Sequence, residues 1–340
     1  MATLSVANRS SLLAKSTFKN YDVCLNSYVG CQFGCTYCYV RFFIKDPDHD
    51  WGDFVRVRAH MEDKLPKELA KGFIKLANGK EPVIENGEPV LNEKGKPKTK
   101  TIFKVLPIEE SRLVLGTMTD PYQPAERKHR ITRKALEILL DDQTPTPKKV
   151  GIFTRSPIIL DDIDLIKQLP KARVHFTVTP FPPKILRAIE GIAPKTQRRW
   201  EVIKELKQAG IRVHVNVAPV MPLISEGFAK EFTQKLAELQ VDEYFVDPMQ
   251  PYKEAFESFR KACSTQTDSD WPTIESIMLD KQRYLDWKFD FFTDWNQHRQ
   301  KVQHLAPNQL PIWCDHENKV WVNMLTGQQM NHRHYGDEAN

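Results

Sequence analysis

The central part of the chain alternates short apolar runs with longer amphipathic stretches. The apolar runs predict strands at 112–116, 148–154, 172–179, 211–220 and 243–248. The intervening stretches carry apolar residues at helical spacing and predict helices at 129–142, 161–168, 183–190, 197–209 and 227–239. Strands that alternate with helices of about 10–15 residues are typical of βα units with a parallel sheet.

Two more strands and a helix are predicted nearer the N terminus. The stretch from Tyr21 to Val29 reads as a strand that enters a cysteine-rich loop, residues 53–58 alternate like a strand, and residues 66–76 predict a helix. Counting the strand at Tyr21, the chain has about six βα units, which is too few for a full eight-unit barrel. The pattern therefore predicts an α/β fold with a partial (β/α)6 barrel, whose functional groups lie at the carboxyl ends of the strands.

Three segments lie outside this rhythm. Residues 1–20 are polar and predicted to be irregular, and residues 78–103 are rich in Gly, Pro, Lys and Glu. An Asn-Gly pair at 86–87 between two apolar runs predicts that the second segment is an exposed hairpin. Residues 251–340 predict a C-terminal extension, with one or two amphipathic helices in 271–303 and a hairpin in 312–327. The core barrel is accordingly expected at 21–250.

The composition is that of an ordinary globular protein. Hydrophobic residues make up 41% of the 340 positions, enough for a sizeable core, and the net charge of +5 permits a nucleic-acid partner without requiring one. A basic cluster at 127–134 can either contact phosphates or form a solvated helix face. The chain lacks an apolar run of about 18 residues, so no membrane span is expected. Its first residues lack the apolar stretch of a signal peptide, so a cytoplasmic location is expected.

Four of the six cysteines fall within 15 residues, which favours a metal or cluster site over disulfides in a reducing compartment. The segment GCQFGCTYCY places Cys31, Cys35 and Cys38 at C-x3-C-x2-C spacing. Three thiolates from one loop can bind three corners of an iron–sulfur cubane. The fourth iron then keeps an open position that an amino acid can fill through its amine and carboxylate. Zinc, with Cys24 or His60 as a further ligand, is the alternative.

This loop resembles the signature of the radical S-adenosylmethionine (SAM) superfamily, in which an aromatic residue, here Tyr37, precedes the last cysteine. The wider context is similar to the spore photoproduct lyase-like branch, also described as DNA repair photolyase-related. The similarity covers about residues 10–250. The matching stretches are NSYVGCQFGCTYCYVRF (26–42), TDPYQPAE (119–126), FTRS (153–156), FTVTP (176–180) and AGIRVHVNVAPVMP (209–222).

The resemblance implies two cofactors, a [4Fe–4S] cluster held by the three cysteines and SAM bound to its free iron. Reductive cleavage of SAM would release methionine, and the 5′-deoxyadenosyl radical would abstract hydrogen from a substrate. A flavodoxin or ferredoxin-type protein is the expected electron donor. Nucleic acid is the substrate suggested by the resemblance. The rival interpretation is a non-catalytic iron–sulfur or zinc protein that binds nucleic acid or transfers electrons.

The resemblance also assigns residues to SAM, each with a structural alternative. Tyr37 would contact adenine or simply pack beside the loop. The stretch with Thr117, Thr119 and Asp120 would bind the amine or form a turn. Arg155, with Ser156 as a weaker neighbour, would bind the carboxylate or lie at the surface. The remaining candidates are Thr177 and Thr179, with Asn216 and His214 on the next strand. The threonine hydroxyls would contact the ribose or the carboxylate of SAM, or they would simply hydrogen-bond to the backbone.

One departure from the branch concerns hydrogen donation. Spore photoproduct lyases place a hydrogen-donating cysteine near the segment that corresponds to 117–120, where this chain has Thr117. Cys263 or Cys314 would have to serve instead, although each is equally explained as a small buried residue. The usual route of spore photoproduct repair is therefore in doubt, and the substrate stays unidentified.

Overall fold

A computed structural model describes residues 3–7, 11–18, 20–85, 88–249, 253–263 and 270–307, together with the backbone of three strands beyond residue 309. The strands in chain order are β1 (Thr3–Val6), β2 (Leu13–Lys15), β3 (Val23–Leu25), β4 (Tyr28–Val29), β5 (Phe54–Val57), β6 (Phe73–Pro82), β7 (Ile84–Glu85), β8 (Glu88–Pro89), β9 (Thr99–Pro107), β10 (Arg112–Leu115), β11 (Lys149–Thr154), β12 (Arg173–Val178), β13 (Val213–Val220), β14 (Glu243–Pro248), β15 (Leu310–Asp315), β16 (Val320–Asn323) and β17 (Gln329–Asn331).

The helices share one arrangement, in that most of them follow a strand and return the chain to the start of the next. In chain order they are α1 (Val40–Phe43), α2 (Met61–Leu69), α3 (Glu126–His129), α4 (Ile131–Leu139), α5 (Ile163–Ile166), α6 (Pro183–Ile189), α7 (Thr196–Gln208), α8 (Ala229–Glu238), α9 (Lys253–Cys263), α10 (Trp271–Leu279) and α11 (Lys281–Val302).

The central sheet is open and mostly parallel. Its strand order is β17-β16-β15-β14-β13-β12-β11-β10-β3-β2. Within this sheet, β3 and the strands β10 to β15 run parallel to one another. Strand β2 pairs antiparallel with β3, and β16 pairs antiparallel with both β15 and β17. This arrangement confirms the predicted α/β class with an incompletely closed barrel, and it brings the carboxyl ends of the parallel strands to one edge.

The core lies between this sheet and the outer helices. Alternate strand residues such as Val174 and Val215 are fully buried, and they share one core cluster with Leu136 of α4, Leu206 of α7 and Leu236 of α8. Each such side chain stabilises the fold by about 1.5–3 kcal/mol relative to its exposed state. The remaining strand residues face the interior of the barrel.

The region between β5 and β10 differs from its prediction. The helix was expected at 66–76, but α2 begins at Met61 and ends at Leu69, because Met61, Leu65 and Leu69 form one buried face. Gly72 then adopts a left-handed backbone with φ of 74° and the chain turns into β6. Strands β6 and β9 form a long exposed hairpin that is wider than the predicted insertion. The Asn-Gly pair at 86–87 lies outside the described residues.

Both ends of the chain add strands whose partners are distant in sequence. The N-terminal segment predicted to be irregular contains β1, which pairs with β5, and β2, which pairs with β3. The predicted C-terminal helices correspond to α10 and α11. Strands β15 and β16 are antiparallel as predicted, and β15 also extends the parallel sheet beside β14. Within the described residues, no helix combines the length and apolar character needed to cross a bilayer.

Candidate active site

The cysteine loop follows β4 and turns through two glycines in left-handed conformations. Gly30 has φ of 87°, and a Cβ there would lie 2.4 Å from the carbonyl oxygen of Phe54. Gly34 has φ of 60° and packs against Gly52, where a Cβ would approach the neighbouring Cα to 3.3 Å. A side chain at Gly30 would thus force the backbone to shift, and one at Gly34 would be strained and tightly packed. Backbone hydrogen bonds from Gly34 to Cys31 (3.2 Å) and from Cys38 to Cys35 (3.1 Å) close the two turns.

The three cysteines of the loop gather in one apolar cluster with Phe33 and Trp51. Cys31 and Cys35 are buried, Cys38 is partly exposed, and all three are free thiols. Burial raises the pKa of each of them, so a cation is needed to hold them as thiolates. Iron would supply that charge, and three cysteines gathered on one loop are a donor set that fits a cluster. Among the described residues, no three His, Cys, Asp or Glu side chains surround a single ion position.

The segment after β10 lies directly against this loop. The Thr119 hydroxyl donates to the carbonyl oxygen of Gly30 at 2.5 Å. The Asp120 carboxylate accepts from the Thr154 hydroxyl (2.7 Å) and from the backbone N–H groups of Tyr122 (2.9 Å) and Arg155 (3.0 Å). Burial raises the pKa of Asp120, and these hydrogen bonds oppose the rise. In this structure both predicted residues join the ends of β10 and β11 to the cysteine loop.

Thr117 is buried in the same segment and is held by two residues that sequence reasoning missed. Its hydroxyl accepts from the Asn26 side-chain amide at 3.4 Å, and its carbonyl oxygen accepts from the Tyr39 hydroxyl at 2.6 Å. Asn26 also accepts from the backbone N–H of Met118 at 2.9 Å. Asn26 directly follows β3, and this position at a strand end was the available signal.

Arg155 connects the end of β11 to the cysteine loop. Its Nη1 lies 3.4 Å from the Cys35 sulfur, 2.6 Å from the Tyr37 hydroxyl oxygen and 2.9 Å from Oε1 of Glu190. Burial alone would lower the pKa of Arg155, but the adjacent Cys35, Tyr37 and Glu190 side chains hold it above its usual value. The guanidinium is therefore a fixed positive charge beside the cluster loop. Among the described residues its side-chain hydrogen bonds run through Nη1, so Nε and Nη2 are unused.

Glu190 organises this network and was not among the predicted residues. Its Oε1 accepts from the Tyr37 hydroxyl (2.5 Å) and the Thr179 hydroxyl (2.8 Å), and its Oε2 accepts from the fully buried Arg199. Burial alone would raise the pKa of Glu190, but Arg199 and Arg155 outweigh it and lower the pKa to about 2. Glu190 is the C-cap of α6, where the helix dipole disfavours a carboxylate. A carboxylate at such an unfavourable position was the signal that the sequence offered.

The other predicted SAM contacts are placed differently from one another. Thr179 is fully buried within the Glu190 network, and its hydroxyl oxygen also lies 2.9 Å from the carbonyl oxygen of Ala218. Ser156 is buried and accepts from the backbone N–H of Ile158 at 3.3 Å, which is a helix-capping contact. Thr177 is partly exposed and pairs in register with Asn216 on β13, facing the barrel interior. The structure thus brings Thr179, but not Ser156, into the network around Arg155.

The alternative zinc ligands Cys24 and His60, the SAM-contact candidate His214 and the alternative hydrogen donor Cys263 do not belong to the apolar cluster of the cysteine loop. The Cys24 thiol faces a different apolar cluster and donates to the carbonyl oxygen of Lys15 at 3.7 Å. His60 is exposed and lies 3.9 Å from Asp63. His214 is buried, and its Nδ1 lies 3.4 Å from Oε2 of Glu243, the first residue of β14. Cys263, the last residue of α9, is buried in a separate apolar cluster. The Cys314 side chain lies outside the described residues.

Comparison with known structures shows the fold. The chain is similar to spore photoproduct lyase with bound S-adenosylmethionine and dinucleoside spore photoproduct, with a TM-score of 0.59, 13% identity, and coverage of 91% of this chain and 80% of that one. A second structure of that lyase with the dinucleoside alone gives a TM-score of 0.58 at 13% identity, with coverage of 91% and 80%. At these identities the likeness concerns the fold.

Three curated relatives are uncharacterized proteins. One from Methanocaldococcus jannaschii is 24% identical over 199 residues, which is 58% of this chain and 60% of the relative. One from Mycobacterium tuberculosis is 25% identical over 215 residues, 59% of this chain and 50% of the relative. One from Acidianus two-tailed virus is 27% identical and covers 65% of each chain. The matched region thus spans between half and two thirds of these relatives.

The radical SAM superfamily model matches residues 25–232, which include the cysteine loop and the strand ends that surround it. This match and the shared fold confirm the predicted family and its two cofactors. The chain therefore belongs to the radical SAM superfamily, whose enzymes use a [4Fe–4S] cluster and SAM.

Proposed function

We propose that this protein cleaves SAM reductively and uses the resulting radical to abstract hydrogen from a substrate, with nucleic acid as the substrate class. One observation carries the proposal: Arg155 lies 3.4 Å from Cys35, so the cysteine loop and the end of β11 form one site. When bound, the cluster supplies the electron that breaks a carbon–sulfur bond of SAM. The protein's own residues supply binding, orientation and exclusion of water.

Arg155 is the residue best placed to bind the SAM carboxylate. Its Nε and Nη2 suit a bidentate contact with a carboxylate, while Nη1 is anchored by Glu190. The anchored guanidinium loses little conformational freedom when the ligand arrives. Tyr37, whose hydroxyl donates to the same Glu190 carboxylate, is proposed to contact adenine. Thr119 and Asp120 are proposed to bind the amine of SAM. The other polar residues proposed to line the SAM site are Thr117, Ser156, Thr177 and Thr179.

The substrate class rests on fold likeness and on charge. The solved lyase of similar fold binds a dinucleoside photoproduct. The net charge of +5 is compatible with a phosphate-bearing substrate. The position of Thr117 argues that hydrogen is returned by a route different from a thiol at that place. We assign the protein to the cytoplasm, because a reducing compartment keeps cluster cysteines reduced.

Anaerobic reconstitution tests the proposal. The reconstituted protein, reduced with dithionite, should release 5′-deoxyadenosine and methionine from SAM, as measured by chromatography and mass spectrometry. Cys35→Ala should abolish the release and lower the iron content. Cys263→Ala is the matched control, since this buried thiol lies in a separate apolar cluster, and it should keep both. Zinc in anaerobically purified protein, or intact SAM after reduction, would refute the proposal.

A further inference from the structure

The basic cluster at 127–134 divides into two sets. Arg133 pairs with Asp162 at 2.7 Å, and Lys134 pairs with Glu62 at 3.0 Å. Arg127, Lys128 and Arg130, in contrast, are exposed and have no acidic group within 4.0 Å among the described residues. We call these three side chains the α3 basic patch. Neighbouring acidic residues do not neutralise it, so it presents a net positive surface.

The α3 basic patch lies beside the cysteine loop. The Gln32 side-chain oxygen accepts from the backbone N–H of Ala125 at 2.6 Å, and the Gln32 N–H donates to Gln123 Oε1 at 2.8 Å. Gln32 directly follows Cys31, and Ala125 lies two residues before Arg127. Because consecutive Cα atoms are about 3.8 Å apart, these contacts keep the Cα atoms of Cys31 and Arg127 within about 20 Å. Gln32 is itself partly exposed, so the loop reaches the surface there.

Arg130 lies at the junction between α3 and α4. Its backbone is left-handed with φ of 51°, a conformation that favours glycine or asparagine. The same residue is the C-cap of α3, where a positive charge is favourable, and the N-cap of α4, where a positive charge is unfavourable. These two local effects oppose each other, and the exposed guanidinium adds its charge to the α3 basic patch.

We propose that the α3 basic patch docks an acidic one-electron carrier protein that reduces the cluster; this rests on the function proposed above. In that step one electron leaves the carrier and enters the cluster, and no bond or proton is exchanged. Charge complementarity accelerates such transient encounters without a large interface. A carrier is favoured over nucleic acid because electron transfer needs only proximity to the cysteine loop, which the contact through Gln32 provides, whereas a substrate must reach Arg155 at the end of β11.

The test compares two electron sources in the full-length reconstituted protein. A variant with Arg127→Glu, Lys128→Glu and Arg130→Glu is assayed for 5′-deoxyadenosine formation with reduced flavodoxin and, separately, with dithionite. At low salt its flavodoxin-driven rate should fall at least about tenfold, while its dithionite-driven rate stays at the wild-type value. The wild-type flavodoxin-driven rate should also fall with added salt, and the variant's should not. The matched control reverses three exposed hairpin lysines, Lys94→Glu, Lys96→Glu and Lys98→Glu, and should behave like wild type.

Each other result is decisive. An unchanged flavodoxin-driven rate in the α3 variant overturns the proposal, as does an equal loss with dithionite, since that would mark a structural role. Loss of affinity for a labelled oligonucleotide without loss of flavodoxin-driven rate would assign the patch to nucleic acid instead. Failure of SAM cleavage in the wild type with dithionite would refute the proposed function. The patch would then be judged by direct binding of flavodoxin, measured by fluorescence anisotropy in both proteins.

Discussion

The Nη1 atom of Arg155 lies 3.4 Å from the sulfur of Cys35, although 119 residues separate them in the chain. Cys35 comes from the loop after β4, and Arg155 directly follows β11. Their contact places a permanent positive charge beside a potential cluster ligand. The same guanidinium is oriented by Glu190 and Tyr37, so the charge is fixed in direction as well as in position.

Arg155→Ala should weaken SAM binding by about tenfold or more, because a charge-assisted hydrogen bond contributes about 1.5–3 kcal/mol. The cluster should be retained, since no cysteine is changed. Arg155→Lys should restore part of the affinity but not the bidentate geometry. Calorimetry with the reconstituted protein measures the affinity, and the visible spectrum reports the cluster. Unchanged affinity in Arg155→Ala would remove this residue from the SAM site.

Glu190→Gln should lower the free energy of unfolding of the cluster-free protein by about 3–5 kcal/mol, because it leaves the fully buried Arg199 without a counter-charge. Urea unfolding followed by tryptophan fluorescence gives the value. Glu201→Gln, which breaks an exposed pair with Arg198, is the control and should cost about 1 kcal/mol or less. Equal effects of the two substitutions would contradict the central role of Glu190.

Gly30→Ala should prevent stable cluster assembly, because the added Cβ would lie 2.4 Å from the Phe54 carbonyl oxygen. Gly210→Ala is a matched control, since Gly210 has a similar φ of 78° with no atom within 4 Å of the added Cβ. The control should lose about 1 kcal/mol of stability from backbone strain and keep its iron. The measurement is the iron content per chain after reconstitution. A wild-type iron content in Gly30→Ala would show that the loop tolerates a side chain at this position.

The stability of the cluster-free protein should decrease in acid through Glu243. Burial raises the pKa of this carboxyl, but the neighbouring His214, 3.4 Å away, and the charges of Arg173 and Arg212 hold it well below its ordinary value of 4.5. Its contribution is therefore complete above that value and is lost as the pH falls toward the folded-state pKa, with a slope of up to about 1.4 kcal/mol per pH unit.

Unfolding free energies measured between about pH 6 and pH 3.5 test this linkage. Glu243→Gln should show a shallower decrease than the wild type. Glu238→Gln, at an exposed residue near Lys235, should keep the wild-type slope. A wild-type slope in Glu243→Gln would mean that other carboxyl groups account for the acid sensitivity.

Periodicity predicted the βα order between β10 and β14, because each of those elements carries its own local signal of buried faces. The strands β1, β2 and β15 were different, since they are stabilised by partners that are distant in sequence. The helix end at Leu69 was misplaced because a turn at Gly72 ended an apolar pattern that continued into β6.

The cysteine spacing in the sequence indicated the family, which is confirmed, and the three proposed cluster ligands, because three cysteines on one short loop need no other part of the chain to define them. The tertiary structure alone decided which polar residues surround that loop. Glu190, Arg199 and Asn26 enter the site through the packing of α6, α7 and β3 against it, and their buried charges and hydrogen bonds have meaning only with their distant partners in place. Such pairing depends on three-dimensional distance, which the order of residues does not record.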